Sequence, residues 1–355
     1  MIPLFKPFVP DLPKIEKVLK SGSLGYGEYT KLFENKLKEI FDNQYLLATN
    51  SYSSAIEVML ITLGIKKDDE IIMSPMCCLA STQPYVSKGI KIIWADIDPK
   101  TGTLSPNSVE GKINDKTKLI IHNHFCGFPG HIEEINQIGK KHNILVLDDG
   151  IECFGSKYKG SLIGNCGTDI TIFSLSAVRI PNTIDGGVLI FQQESLYKKA
   201  LLVSDFGIDR KKFRNNLGEI DITCDISTIG VGAKMSNVNG YIGFEYLKYL
   251  NDILSKQYEN SRKWDEVIDG KLKKVLIRGN KPNYWVYGIL VENKEETIKR
   301  FRKLGFYASG VHVDNSRYSV FGLSEKLPGV EKFENSFVAI PCGWWLDKGD
   351  IKYEE

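Results

Sequence analysis

The chain has 355 residues, 42% hydrophobic and 25% charged, which suits a globular protein of about two domains and argues against a disordered or fibrous one. Forty-six Lys and Arg against 44 Asp and Glu leave a net charge of +2, so charge gives no reason to expect nucleic acid or an acidic membrane as a partner. No apolar run reaches the ~18 residues that span a bilayer, and the opening MIPLFKPFVPD has prolines and charge where a signal peptide needs an apolar stretch. The expected setting is the cytoplasm.

In chain order, a helical stretch over Thr30–Phe41 precedes a short apolar run, Tyr45–Ala48. Ser-rich punctuation follows at Asn50–Ser54, then a helical period through Ala55–Leu63. Short β-rich runs come at Glu70–Met73, Lys91–Trp94, Lys118–His122, Ile144–Leu147, Ile170–Ser174 and Gly187–Phe191, most separated by helical segments such as His131–His142. Continuous β-branched runs alternating with helices predict an α/β domain with a mostly parallel sheet buried on both faces. Near residue 250 the character changes. Phe244–Lys274 reads as one long amphipathic helix, followed by a strand at Trp285–Val291, a helix at Lys294–Leu304 and a Gly- and aromatic-rich tail. The expected division is a large domain over 1–249 and a smaller α+β domain over 250–355.

The seven cysteines, at 77, 78, 126, 153, 166, 224 and 342, are scattered and odd in number, which predicts buried thiols rather than a disulfide framework. No Cys/His cluster has zinc spacing, and no metal is expected. The short basic runs at 140–141, 210–212 and 271–274 read as solvated surface.

Ligands of open α/β sheets bind beyond the carboxyl ends of the strands, so chemistry is sought there. After the first run come Ser51, Tyr52, Ser53 and Ser54, either a plain Ser N-cap or a helix N-terminus suited to a phosphate. After Ile144–Leu147 come Asp148, Asp149 and Glu152, carboxylates that are costly unless they meet a cation, a metal or a ligand nitrogen. After Ile170–Phe173 come Ser174, Ser176 and Arg179, then Asp185-Gly186-Gly187. An Arg here is either a surface residue or a buried anion partner.

Together these segments resemble the DegT/StrS group of sugar aminotransferases over nearly the whole chain. The resemblance rests on Gly25-Tyr26-Gly27 with Phe33-Glu34, on Leu63-Gly64-Ile65 with Asp68–Pro75, and on Gly89-Ile90 through Asp98. It continues through Thr117-Lys118, His124–Pro129, Asp148-Asp149 to Gly155, Tyr158-Lys159-Gly160 with Gly164, and Phe173-Ser174 to Gly187. It implies a fold-type-I pyridoxal-phosphate (PLP) transferase acting on nucleotide-linked keto-sugars, in surface-polysaccharide or deoxyamino-sugar biosynthesis. It also implies a homodimer with Gly22–Tyr29 and Asp209–Met235 in the seam.

The departures from the family pattern bear on function. The position of the Schiff-base lysine is Arg179, and no Lys lies between Lys159 and Lys198. An imine needs a neutral primary amine, whereas a guanidinium stays protonated at any working pH. The glutamine placed by the family near the cofactor's phenolic oxygen is Glu152, and the ring-stacking aromatic is Leu79. The phosphate loop's Gly-Thr is Tyr52-Ser53, the histidine before the lysine is Ser176, and the cross-subunit Asn and Arg are Gly232 and Lys234. Asp149 (the pyridinium partner), Ser174, Ser51 and Ser53 are retained.

The expectation is therefore a repurposed or degenerate enzyme in which PLP or pyridoxamine phosphate (PMP) binds weakly and without a covalent bond, or not at all. Three alternatives stand beside it: a PMP-using keto-sugar dehydratase with Glu152 or His124 as base, a non-catalytic dimer partner of a true aminotransferase, and a transaminase using another lysine such as Lys234. In the pocket, Arg179 is expected to pair with Glu152, Asp149 or both; the alternative is a loop swung outward, with Arg179 in solvent.

Overall fold

The computed structural model describes residues 1–353. Nine strands form the larger part: β1 Leu46–Thr49, β2 Glu70–Met73, β3 Lys91–Trp94, β4 Thr117–Asn123, β5 Leu145–Asp149, β6 Lys157–Tyr158, β7 Ser161–Leu162, β8 Ile170–Ser174 and β9 Gly187–Phe191. β6 and β7 make a small hairpin, and the other seven make one sheet in the order β1-β9-β8-β5-β4-β2-β3. Strands β3, β2, β4, β5 and β8 run parallel to their neighbours in that series. β9 alone is antiparallel, to both β8 and β1.

The expected burial on both faces follows from how the strand residues divide. Leu47, Leu119, Ile121 and Leu189 pack on one side with Ile56 and Met59 of the helix Tyr52–Leu63. Leu46, Ala48, Val188 and Ile190 pack on the other with Phe33, Leu37 and Phe41 of the helix Glu28–Phe41. Alternate side chains of a strand point to opposite faces, so apolar residues at both parities need helices on both sides.

A second, antiparallel sheet of β10 Lys273–Lys274, β11 Tyr287–Leu290 and β12 Phe337–Ile340 lies in the C-terminal part. Trp264 of the helix Leu250–Ile268 is fully buried there with Tyr287, Ile289, Phe301 and Phe306. The first residues of the chain join this part: Ile2 bridges to Phe306, and Phe5 stacks on Trp285 with ring centres 4.1 Å apart.

Two expectations are corrected. Phe244–Lys274 is not one helix: Asn237–Tyr246 and Leu250–Ile268 are separate, and the chain turns again before β10. The first of these is buried nearly all round, and a Cβ on Gly240 would lie 2.5 Å from the Thr30 Cα. The second has one apolar face, so the two need different directions to bury their surfaces. The tail also holds the helix Pro328–Ser336 and β12, which its composition did not announce. All seven cysteines are free, four of them buried. Among the described residues no helix is long and apolar enough to cross a membrane.

Candidate active site

The carboxyl ends of β4, β5 and β8 deliver Asn123, Asp149 and Ser174 to one end of the sheet. Asp149 is 1% exposed. Its Oδ1 accepts from Tyr52 Oη at 2.6 Å and from the Ile151 N–H at 3.1 Å, and its Oδ2 accepts from Asn123 Nδ2 at 3.0 Å. Burial pushes this carboxyl above its usual value, and the donors around it offset part of the rise. Tyr52 opens the helix after β1, with Ser51 as its N-cap accepting from the Ser54 N–H at 3.0 Å. The plain-cap reading of Ser51 therefore describes its contacts. Ser53 is exposed, and Leu79 is 42% exposed on the turn Leu79–Ser81.

The loop between β8 and β9 turns inward. Its backbone is pinned by the Thr183 N–H on the Leu175 carbonyl at 2.8 Å, by Trp285 Nε1 on the Val178 carbonyl at 3.0 Å and by Asn182 Nδ2 on the Phe8 carbonyl at 2.8 Å. Gly187 is required where the loop rejoins the sheet, because a Cβ there would lie 2.8 Å from both the Ser51 carbonyl oxygen and Thr49 Oγ1. Ser174 Oγ stays within the loop, 3.3 Å from Ser176 Oγ.

Held this way, Arg179 is 7% exposed and its Nη1 lies 3.1 Å from Glu152 Oε1. The guanidinium also lies over Trp285, 4.7 Å from the ring centre, in cation–π contact. Glu152 takes two further partners: His312 Nε2 at 2.9 Å and the Cys126 N–H at 2.8 Å. Burial alone would raise the Glu152 carboxyl, but His312 and Arg179 override it and hold the group at about 2. Arg179 thus pairs with Glu152, whereas Asp149 is held by Tyr52 and Asn123. The outward loop with a solvated arginine is not the conformation found. Arg179 Nε is buried without an aligned hydrogen-bond partner among the described residues.

His124 lies elsewhere. It is fully buried, with Nε2 3.2 Å from Asp148 Oδ1 and Nδ1 accepting from the Gly130 N–H at 3.2 Å. Gly232 accepts at its carbonyl from Asn50 Nδ2, and a Cβ on it would lie 2.5 Å from the Phe206 ring. Lys234 points at Tyr26, 4.9 Å from the ring centre, and burial pulls its amine below the usual value.

Sequence reasoning missed His312, Trp285, Cys126 and Asn123 as partners in this site. His312 is 160 residues from Glu152, so no local spacing signalled it. The carboxylate past β5 was itself the available signal, since a buried Glu beside one Arg still has lone pairs to fill.

The structure closely matches known ones. The sugar aminotransferase CalS13 from Micromonospora echinospora superposes with a TM-score of 0.91 at 24% identity, covering 99% of this chain and 97% of that one. AtS13 from Actinomadura melliaura gives 0.90 at 27% identity, covering 99% and 96%. In sequence, GDP-perosamine synthase from Escherichia coli O157:H7 is 28% identical over 305 residues, 83% of this chain and 79% of the relative. The fold is that of the sugar aminotransferases, and residues 10–352 match the model of the DegT/DnrJ/EryC1/StrS aminotransferase family, to which this chain belongs.

Proposed function

We propose that this chain serves nucleotide-sugar metabolism with the family's fold but without Schiff-base chemistry. One observation carries the reading: the residue that the family resemblance puts at the Schiff-base position is Arg179, whose guanidinium is engaged by Glu152 at 3.1 Å. A guanidinium does not deprotonate to an attacking amine. The resident groups do not fit an imine-linked PLP, since no lysine lies in the 160–197 stretch. Asp149 already accepts three hydrogen bonds. PLP and PMP then bind at most weakly and without a covalent bond, and no step of our account passes through them.

The dehydratase alternative loses its two candidate bases. Glu152, held at about 2, is a weak proton acceptor near neutrality, and His124 is fully buried, out of reach of a ligand. What this site retains is a buried cation paired with Glu152 beside a polar cluster. The proposed ligand class, a nucleotide-linked sugar, rests on the family to which the chain belongs.

We also propose a homodimer. The segment after the helix Glu194–Val203 exposes Leu217 at 86%, Ile222 at 99% and Ile229 at 79%, an apolar surface that a lone chain rarely leaves uncovered. The seven free thiols support a reducing, cytoplasmic setting.

The test is twofold. Calorimetric titration with a panel of nucleotide-linked sugars, without PLP, is expected to show binding. Incubation with a nucleotide-linked keto-sugar, an amino-acid donor and PLP is expected to give no amino sugar; its formation would overturn the proposal.

A further inference from the structure

Behind the candidate active site lies a second polar cluster that the account above does not use. His122 of β4 and His124, just past its end, bring their ring centres within 4.6 Å of each other, and the β4–β5 register sets His122 opposite Asp148. All three side chains are 0% exposed. Asp148 Oδ1 lies 3.5 Å from His122 Nδ1 and 3.2 Å from His124 Nε2. Yet neither ring nitrogen of His122, nor His124 Nε2, nor either oxygen of Asp148 has an aligned hydrogen-bond partner among the described residues. Both imidazoles thus reach Asp148 Oδ1 at hydrogen-bonding distance but without aligned geometry, and so many under-satisfied polar atoms in one place are rare in a native core.

We infer that His122, His124 and Asp148 form a zinc site. The spacing is compatible with this ion. Tetrahedral bonds of about 2.0–2.1 Å put neighbouring ligand atoms ~3.4 Å apart, and the two measured separations, 3.2 and 3.5 Å, straddle that value. The third separation also lies within 4.8 Å. Two imidazoles and a carboxylate without sulfur form a donor set that zinc accepts, leaving its fourth position for a water or hydroxide. Gly130 makes the space, since a Cβ there would lie 2.3 Å from His122 Nε2; Nδ1 is the atom left to face Asp148. In the metal-free state the Gly130 N–H bond to His124 Nδ1 keeps the proton of a neutral ring on Nε2. Zinc at Nε2 requires the ring's proton to move to Nδ1, where it meets the Gly130 N–H, so that contact must loosen on loading.

A neighbouring group, Cys126 with Glu152 and His312, also has metal-compatible spacing. Its carboxylate already carries the Arg179 cation at 3.1 Å, which repels a second positive ion.

The test is metal analysis of the full, tag-free chain purified without chelator and dialysed. About one zinc per chain is expected, with an X-ray absorption shell of nitrogen and oxygen and no sulfur. Asp148→Asn and His122→Phe are each expected to lower the zinc content at least tenfold, and Cys126→Ser to leave it unchanged. Should the first two variants fail to fold, the wild-type measurements decide alone. Less than a tenth of an equivalent with no rise in Tm on adding zinc, or a sulfur shell, overturns the site.

Discussion

Arg179 and Glu152, 27 residues apart in sequence, meet at 3.1 Å with side-chain exposures of 8% and 1%. In the proposed reading the pair occupies the Schiff-base position that the family resemblance assigns to Arg179. Removing one partner of a buried ion pair costs about 3–5 kcal/mol, because the other charge stays behind uncompensated. Arg179→Met is expected to fall near the lower end, since His312 still faces Glu152. Urea unfolding measures it; a loss under about 1 kcal/mol, the size of a surface ion pair, would place the arginine's role elsewhere.

Glu152, held by His312 and Arg179 together, also makes stability depend on acid. Glu152 has its carboxyl held at about 2 against an ordinary 4.5. A lowered carboxyl contributes stability that is fully present above about pH 4.5 and is lost as pH falls through about 2. At about 1.4 kcal/mol per pH unit the contribution is roughly 3 kcal/mol. Thermal melts across that window are expected to show a flatter pH profile for Glu152→Gln than for the wild type. Parallel profiles would contradict the assignment.

Tyr52 is expected to matter through its hydroxyl. Its hydrogen bond to Asp149 at 2.6 Å reaches a buried acid, and such bonds contribute about 1.5–3 kcal/mol when the acceptor is charged. Tyr52→Phe should lower unfolding stability by that amount while leaving the fold intact by circular dichroism. An unchanged midpoint would mean that Asp149 is protonated and indifferent to the loss.

Much of this arrangement was legible in the chain, for physical reasons. β8 and β9 are buried along their whole length and therefore read as short runs rich in β-branched and other apolar residues. Asp149 and Glu152 stood out because carboxylates directly after such a strand need partners. The identity of those partners was not legible. Tyr52 reaches Asp149 across 97 residues and His312 reaches Glu152 across 160, and only the folded sheet brings them together. Tyr52 stands where the resemblance puts a phosphate-loop glycine, and its hydroxyl faces Asp149. The zinc cluster escaped linear spacing because its third ligand comes from the next strand. The long helix was misread because Tyr246 to Leu250 has neither Gly nor Pro to mark the break.

The exposed apolar segment gives an assembly prediction. Light scattering is expected to return about twice the chain mass at micromolar concentration. Charging the surface with Ile222→Asp and Ile229→Asp is expected to shift the protein toward the monomer. A wild-type monomer would remove the support for a two-chain seam.

Returning the amine alone should not return the chemistry. In Arg179→Lys the new ammonium still faces Glu152, and Asp149 is still held by Tyr52 and Asn123. No amino-group transfer from an amino-acid donor to a nucleotide-linked keto-sugar is expected in the presence of PLP. A working transaminase from this one substitution would mean that the rest of the pocket is intact.

The wild-type site is expected to form no covalent link to PLP. The most direct test is intact-mass spectrometry after incubation with excess PLP and borohydride reduction, with peptide mapping of any product. The expected result is no modification in the 160–197 stretch or at Lys234, with at most scattered labelling of surface lysines. A single stoichiometric adduct at Lys234, or at any lysine mapped to this site, would contradict the account.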